Sequence, residues 1–220
     1  MIDHDFWHQR WRDSNTPFHR ASVHPMLERF YPTLELAPSA SVFVPLCGKA
    51  ADMAWLRDRG HTVLGVELSD IACRDFFIEQ GIDHRTSSVP LYTRFEGDQI
   101  TLLAGDFFNL THDDLVQVDA VYDRAALVAL PPRDRVRYAS LLCAQLPASA
   151  PVLLVSLDYP QHRMDGPPFA VGVDEIHDLF EARFQIQSLG EMDIIDEEPR
   201  FRDRGLDSLI ERAHRLTPRA

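Results

Sequence analysis

Short apolar runs alternate with helical stretches along the middle of the chain, and this alternation constrains the fold most strongly. An apolar run over 41–46 is followed by a helical pattern over 50–59. A second apolar run over 62–68 follows at once, and a helical pattern over 69–80 begins with Ser69, a suitable N-cap. Two strands joined by a helix of this length form a βαβ unit, in which the strands are parallel.

The segments on either side extend this alternation. Helices are predicted over 3–13 and 24–36, where apolar residues recur at helical spacing. The elements predicted after the βαβ unit are paired runs over 91–96 and 100–104 that form a hairpin or an excursion, a strand over 118–122, a helix over 131–146, a strand over 152–157, a loop over 158–172, a helix over 173–183, and apolar segments over 184–195 and 206–216. The periodicity of the last segment fits either a strand or a helix. The alternation predicts an α/β fold with a doubly wound sheet.

The composition is that of a globular protein without a basic surface for nucleic acid. Of the 220 residues, 45% are hydrophobic and 25% are charged, which suits one domain over 1–220 with a sizeable core. The formal net charge of -12 repels phosphate backbones, so we expect no nucleic-acid partner. No stretch approaches the roughly 20 apolar residues of a membrane helix, and the amino terminus has no apolar signal region. We therefore expect a cytoplasmic protein that is not bound to a membrane.

The spacing of cysteine and histidine predicts neither disulfides nor a metal site. Cys47, Cys73 and Cys143 are an odd number of thiols without a C-x-x-C pair, which is typical of a reduced compartment. His4 and His8 have i, i+4 spacing, but no third ligand accompanies them. We expect no metal.

The ends of the first two strands are the candidate ligand site, because open α/β sheets bind ligands outside the carboxyl ends of their strands. Gly48 follows the first strand and Glu67 ends the second, 19 positions later. A glycine lets the backbone approach a ligand, and an acidic residue at this distance suits two ribose hydroxyls; the alternative for Glu67 is a solvated carboxylate. The turn over 44–49 has a single glycine, so it lacks the dinucleotide fingerprint, and the P-loop pattern fails at Phe43 and Ala50. An adenosine ligand without phosphates remains, of which S-adenosylmethionine is the commonest.

Six stretches of the chain are more specific than a lone glycine motif. They are FWHQRW at 6–11, FH at 18–19, VFVPLCGKAADMAWL at 42–56, GVELS at 65–69, YDRAALVALPP at 122–132 and GPPF at 166–169. Together they resemble the thiopurine S-methyltransferase family, in a bacterial form, over nearly the whole chain. The resemblance implies a Rossmann-like class I S-adenosylmethionine-dependent methyltransferase fold. Its features are a seven-stranded sheet with helices on both faces, an antiparallel last strand pair that makes the final segment a strand, and an N-terminal helical cover over 1–38.

The resemblance also implies which residues contact the cofactor. By position they are Trp11, Leu46, Glu67, Asp106, Phe107 and Arg124, and the spacing argument adds Gly48. Trp11 offers a flat π face for a sulfonium cation, or it packs as a core aromatic. Asp106 accepts a hydrogen bond from the adenine amino group, or it caps a turn. Phe107 stacks on the base, or it fills the core.

The acceptor side is implied to be bordered by one residue pair, one arginine and one loop: Phe18 and His19, Arg124, and Pro167, Pro168 and Phe169. Arg124 and His19 are the candidate catalytic residues. A guanidinium near the acceptor favours a thiolate over a thiol, although Arg124 has acidic neighbours with which it can pair instead. His19 relays a proton in the functional interpretation and packs against the substrate in the alternative.

We therefore expect methyl transfer to the sulfur of small aromatic or heterocyclic thiols, including thiopurines. The resemblance to bacterial members adds selenium and tellurium compounds as acceptors. We expect a monomer whose partner is a small molecule. Two alternatives stay open: transfer to oxygen or nitrogen, which needs a base such as His19, and a non-enzymatic protein that sequesters metalloid or adenosine ligands. A nicotinamide oxidoreductase is the weakest alternative, because the turn has one glycine.

Overall fold

The computed structural model describes residues 4–219, and in this range one mixed sheet contains nine strands. The strands are β1 (Ser41–Pro45), β2 (Thr62–Glu67), β3 (Arg85–Val89), β4 (Tyr92–Gly97), β5 (Ile100–Ala104), β6 (Ala120–Arg124), β7 (Val152–Asp158), β8 (Phe184–Asp193) and β9 (Ile210–Pro218). Their order across the sheet is β3-β4-β5-β2-β1-β6-β7-β9-β8. The five strands β5, β2, β1, β6 and β7 are parallel, as the βαβ pattern predicts.

Helices connect the strands and begin the chain. They are α1 (His4–Arg12), α2 (Pro25–Phe30), α3 (Asp52–Asp58), α4 (Asp70–Glu79), α5 (His112–Leu115), α6 (Ala126–Ala129), α7 (Pro132–Gln145), α8 (Val173–Phe180) and α9 (Pro199–Arg202). Short 3-10 turns lie at Tyr31–Leu34, Phe107–Asn109 and Gln161–Arg163. None of the helices within 4–219 combines the length and apolar character needed to cross a bilayer. Residues 1–3 of the predicted cover and residue 220 of the predicted domain lie outside the described residues.

The central strands form because their apolar residues are buried on both faces of the sheet. In β7 the first six of seven residues are buried, and in β1 four of five are buried. Successive side chains point to opposite faces, so Phe43 packs with one core cluster and its neighbours Val42 and Val44 pack with the other. Helices therefore cover both faces, and the loops at the strand ends are left free to build a site.

The predicted count of seven strands is wrong, because β3 and β4 extend the sheet beyond β5. The two runs around Gly97 form an antiparallel hairpin of β4 and β5, and β3 pairs antiparallel with β4. β3 reads Arg-Thr-Ser-Ser-Val, and four of its five residues are exposed. It is an edge strand held by backbone hydrogen bonds, so it carries no apolar pattern.

The last predicted segment, whose periodicity fits either a strand or a helix, forms a strand, β9. β9 lies antiparallel between β7 and β8, which confirms the strand and the antiparallel pair that the family resemblance implies. The predicted helix over 24–36 is shorter than expected: α2 ends at Phe30, and a 3-10 turn that contains Pro32 follows. Proline lacks the N–H that continues an α-helix, so the helical ladder is interrupted there.

Candidate active site

A cavity of about 480 Å³ opens at the carboxyl ends of the parallel strands. The chain continues from β1 to β2 on one side and returns to β6 on the other, so the cavity lies at the switch point of the sheet. Its volume is within the roughly 300–1,000 Å³ of small-molecule sites. The residues that line it at or just after strand ends include Leu46, Glu67, Asp106, Arg124 and Leu157.

Glu67 is a fixed and buried carboxylate at the end of β2. One oxygen accepts the backbone N–H of Gly48 at 2.9 Å, and the other accepts the backbone N–H of Ser69 at 2.9 Å. Burial raises the pKa of Glu67, and hydrogen bonds from Ser69, Gly48 and the Trp11 side chain oppose that rise. The carboxylate is therefore held in one orientation against the cavity wall and is not a freely solvated group.

The turn after β1 brings the backbone close to that carboxylate. Leu46 and Gly48 both have positive φ, of 46° and 53°, which orients the Gly48 N–H towards Glu67. A Cβ at position 48 would lie 3.3 Å from Cζ2 of Trp11, so only glycine leaves this space open. A non-glycine residue in the left-handed region, such as Leu46, is uncommon and marks this turn as specialised.

Aromatic residues of the N-terminal segment cover this part of the cavity. Trp11 is the buried residue of α1, and its ring meets Phe18 edge-on at 5.6 Å. Phe18 also meets Trp7 edge-on at 5.5 Å. Trp11 lines the cavity and is hydrogen-bonded to Glu67, as a cofactor-contacting residue would be. It also packs against Phe18, as a core aromatic would. Its contact with a sulfonium remains a prediction.

Asp106 and Phe107 lie where β5 ends, on the same side of the cavity as Glu67. Asp106 caps the 3-10 turn, since its Oδ1 accepts the Phe108 N–H at 2.9 Å, and its Oδ2 lies 3.7 Å from Nε2 of His4. The Phe107 ring is stacked on Tyr138 with centroids 4.6 Å apart. Both residues line the cavity, and their contacts with an adenine remain predictions.

Arg124 stands at the end of β6, on the opposite side of β1 from Glu67. Ala125 follows it with a φ of 71°, and this turn directs the chain into α6. The preceding residue, Asp123, is completely buried and accepts the Tyr138 hydroxyl at 2.6 Å. Burial raises the pKa of Asp123 to about 7, although hydrogen bonds from Tyr138 and the Ala126 backbone lower it. The hydrogen bonds of Asp123 with Tyr138 and the Ala126 backbone thus fix the turn that carries Arg124.

His19 lies in the cavity wall, and its pKa is lowered. Burial lowers the pKa of His19, the positive charges of Lys49 and Arg124 lower it further, and Glu79 opposes them. Lys49 is itself paired with Glu79 at 2.5 Å. His19 is therefore neutral at pH 7, the state in which an imidazole accepts a proton.

The proline loop between β7 and α8 supplies one wall. Pro167 and Pro168 line the cavity, whereas Phe169 packs its ring on Gly166 and donates its N–H to Val128. Phe169 therefore contacts the loop itself and is not among the residues that line the cavity. Gln161 ties the loop together: its Nε2 donates to Met164 O and Tyr159 Oη, and its Oε1 accepts the Ala170 N–H.

Several charged residues of the cavity were not predicted from the sequence. Arg20, Glu198, Arg200, Arg204 and Glu211 all line it. Arg20 is 3.8 Å from Glu198, and Arg200 donates to the Pro17 carbonyl, so the N-terminal segment is joined to the segment before β9. The only local signal was the acidic and basic residues that lead into the last strand.

Solved structures with the same architecture include methyltransferases. An S-adenosylmethionine-dependent methyltransferase from Anabaena variabilis has a TM-score of 0.68 at 15% identity, covering 100% of this chain and 96% of that chain. A 1,6-didemethyltoxoflavin-N1-methyltransferase from Burkholderia thailandensis, solved with S-adenosylhomocysteine, has a TM-score of 0.63 at 16% identity, covering 97% and 87%. The fold is therefore that of class I S-adenosylmethionine-dependent methyltransferases, with a single-glycine turn after β1 and a buried carboxylate at the end of β2.

Sequence comparison identifies the family within this class. The family model for thiopurine S-methyltransferase matches residues 2–219. A thiopurine S-methyltransferase from Nitrosospira multiformis is 47% identical over 207 residues, which are 94% of each chain. Another from Methylococcus capsulatus is 45% identical over 222 residues, covering 100% of this chain and 99% of that one. The chain belongs to the thiopurine S-methyltransferase family, which confirms the predicted family, fold class, enzymatic nature and cofactor.

Proposed function

We propose that the protein transfers the methyl group of S-adenosylmethionine to the sulfur of small aromatic or heterocyclic thiols, thiopurines among them. The observation that carries the proposal is the division of one cavity into two chemically different ends. A buried carboxylate and a glycine turn lie at the ends of β1 and β2, and arginines lie on the side of β6, β7 and β9. The first end suits a ribose, and the second suits an anionic sulfur.

The cofactor end is assigned to residues that the sequence predicted and the fold brings together. Glu67 accepts the ribose hydroxyls, because its carboxylate is fixed by two backbone donors and retains further lone pairs. Gly48 leaves the space that a ligand needs beside it. The remaining contacts fall to Trp11, Leu46, Asp106, Phe107 and Arg124. When bound, S-adenosylmethionine supplies an electrophilic methyl group on a sulfonium.

Arg124 is assigned the electrostatic part of the reaction. A permanently charged guanidinium beside the acceptor stabilises a thiolate, which is the nucleophilic form of a thiol. Such a displacement needs no covalent link to the enzyme, so positioning and fixed charges supply the acceleration. His19, neutral at pH 7, is in place to receive the thiol proton or to pack against the acceptor ring. Phe18, Pro167 and Pro168 form apolar walls for that ring.

The proposal extends to selenium and tellurium acceptors and to how the protein is organised. Selenolates and tellurolates are soft anionic nucleophiles like thiolates, so the same arginines suit them. We assign residues 1–38 as a cover within a single methyltransferase domain over 1–220, acting as a cytoplasmic monomer. The contacts of Arg20 with Glu198 and of Arg200 with Pro17 support this role of the cover. Sedimentation velocity at assay concentration tests whether the protein is a monomer.

The test measures S-adenosylhomocysteine formed from S-adenosylmethionine and a panel of acceptors. The panel contains a thiopurine, thiophenol, the selenol with the same ring, and the matched phenol and aniline. We expect turnover with the sulfur and selenium acceptors only. Arg124→Ala lowers kcat/KM about 100-fold, because it removes a fixed charge from the reacting sulfur. Arg74→Ala, an exposed arginine of α4 paired with its neighbour Asp75, is the matched control and keeps wild-type turnover.

Two results would contradict the proposal. Comparable turnover of phenol or aniline would indicate an oxygen- or nitrogen-directed enzyme, and a large loss on His19→Ala would then identify its base. Absence of turnover with every acceptor, without thermal stabilisation by S-adenosylmethionine, would favour a protein that only sequesters ligands.

A further inference from the structure

We propose that Glu211 recognises a ring N–H of the acceptor and thereby makes heterocyclic thiones, with N–H beside C=S, the preferred substrate class. This inference rests on the function proposed above and concerns the acceptor end of the same cavity. It assigns a specificity role to a residue that no sequence motif singled out.

Glu211 lies at the acceptor end because of where β9 enters the sheet. β9 pairs antiparallel with β7, and Glu211 stands opposite Leu157 near the carboxyl end of β7. Leu157 and Ser156 line the cavity together with Glu211. Three strands, β1, β6 and β7, separate β9 from β2 and its Glu67. Of the carboxylates that line the cavity, Glu67 lies at the ribose position and Glu211 lies at the opposite end, on β9.

The carboxylate of Glu211 is held in place by a buried hydrogen-bond network. Its Oε1 is 3.0 Å from Nε2 of His24, a residue with no exposed surface. Nδ1 of His24 accepts the Met26 N–H at 3.2 Å, so Nε2 carries the proton and donates it to Glu211. The backbone N–H of His24 donates to Asp52 at 2.7 Å, and Asp52 also accepts the Tyr122 hydroxyl at 3.2 Å. A group fixed in this way is preorganised for recognition.

Glu211 is a carboxylate under the conditions of the reaction. Burial raises the pKa of Glu211, but the hydrogen bond and electrostatic attraction from His24, followed by the charges of Arg124 and Arg20, outweigh burial, and the pKa is lowered. An ionised carboxylate only accepts hydrogen bonds, and its two oxygens offer about four lone pairs. His24 uses one of them. Glu211 thus places an obligate acceptor in the same end of the cavity as the donor Arg124.

This pairing of an acceptor with a guanidinium matches one kind of sulfur compound. A thione with an adjacent N–H presents a donor to Glu211 and a polarisable sulfur to Arg124. A thiophenolate presents negative charge alone, which Glu211 repels. As the thione sulfur forms its new bond to the methyl carbon, the bond from that carbon to the sulfonium breaks, and the ring N–H becomes more acidic. Glu211 accepts a stronger hydrogen bond at that stage, and the proton then leaves to solvent.

The test compares two acceptors of equal ring size, pyridine-2-thione, which has the N–H, and thiophenol, which does not. The quantity measured is the ratio of their kcat/KM values for wild-type protein and Glu211→Gln. Glutamine keeps the volume and can accept from His24, but it turns an amide N–H₂ towards the cavity. We expect the ratio to fall about 10- to 100-fold, as for loss of a charged hydrogen bond. Glu191→Gln on β8, an exposed glutamate paired with Arg212, is the control that keeps the wild-type ratio.

A purely structural role of Glu211 gives a different result. Both acceptors then lose turnover equally, or KM for S-adenosylmethionine rises, while the ratio stays constant; either result overturns the inference. If Glu211→Gln does not fold, Glu211→Asp withdraws the carboxylate by one methylene, and the same fall in ratio is expected. Wild-type protein that methylates neither acceptor would contradict the proposed function itself. Wild-type protein that methylates both, with a ratio unaltered by the substitutions, would contradict only the role of Glu211.

Discussion

Replacing Asp123 by asparagine changes how the stability of the protein depends on pH, and the size of the change follows from the burial of this carboxyl group. Asp123 has no exposed surface, and its pKa is raised by burial from 3.8 to about 7, against hydrogen bonds from Tyr138 and the Ala126 backbone. At about 1.4 kcal/mol for each pKa unit, this difference corresponds to about 4 kcal/mol. Asparagine has nearly the same shape and does not titrate.

The direction of the effect follows from proton binding in the two states. Below about pH 4 the carboxyl group is protonated in both the folded and the unfolded chain, and its contribution to stability is intact. Between about pH 4 and pH 7 only the folded chain keeps the proton, so the free energy of unfolding falls as the pH rises. Above about pH 7 both states are ionised and the loss is complete. From pH 5.5 to pH 8 the expected loss is about 2 kcal/mol.

Urea unfolding of wild-type protein and Asp123→Asn at four pH values between 5.5 and 8 measures this loss. The difference between the two proteins cancels the contribution of the other titrating groups. We expect Asp123→Asn to gain about 2 kcal/mol relative to wild type across the range. Tyr138→Phe is the matched variant: it removes a hydrogen bond that lowers the pKa of Asp123, so the loss extends to higher pH. Parallel curves for wild type and Asp123→Asn would refute the reasoning.

Three further predictions concern the walls of the cavity. Gly48→Ala adds a Cβ 3.3 Å from Trp11 at a φ of 53°, which strains the turn by about 1–2 kcal/mol. We therefore expect calorimetry to show that S-adenosylmethionine binds about 10-fold more weakly. Unchanged affinity would argue against this turn as the cofactor site. Glu67→Gln turns an amide N–H₂ towards a backbone N–H, so we expect thermal unfolding to show a loss of about 1–3 kcal/mol and little remaining stabilisation by the cofactor. Gln161→Ala removes three hydrogen bonds within the proline loop, and we expect steady-state kinetics to show KM for the thiol several-fold higher with KM for S-adenosylmethionine unchanged; equal rises in both would contradict the assignment of this loop to the acceptor.

The parts of the fold that the sequence predicted are those where burial leaves a local pattern. β1, β2 and β7 are continuous apolar runs because both faces of the central sheet are covered. β3 was missed because an exposed edge strand is held by its backbone and carries no such pattern. The segment that forms β9 was ambiguous by periodicity alone, since its strand state depends on pairing with β7 and β8, which are distant in sequence.

The residues of the candidate site also divide into those that a local sequence pattern predicts and those that depend on long-range contacts. Gly48 and Glu67 belong to one βαβ unit, so their spacing was sufficient to place both at the cavity. Glu211, Arg20 and Arg200 reach the cavity only through long-range packing of β9, the N-terminal segment and α9, so no local sequence motif predicts them. Phe169 matches a family motif, yet its ring lies against Gly166 and outside the cavity wall. The motif thus identified the loop, and the structure was needed to show which of its residues line the cavity.

The most direct test of the account is to identify the atom that receives the methyl group. Wild-type protein is incubated with a thiopurine and S-adenosylmethionine carrying a deuterated methyl group, and the product is analysed by tandem mass spectrometry and NMR. The account predicts one product, labelled on sulfur, whose yield equals that of S-adenosylhomocysteine. A label on a ring nitrogen, or S-adenosylhomocysteine formed without any labelled acceptor, would contradict it.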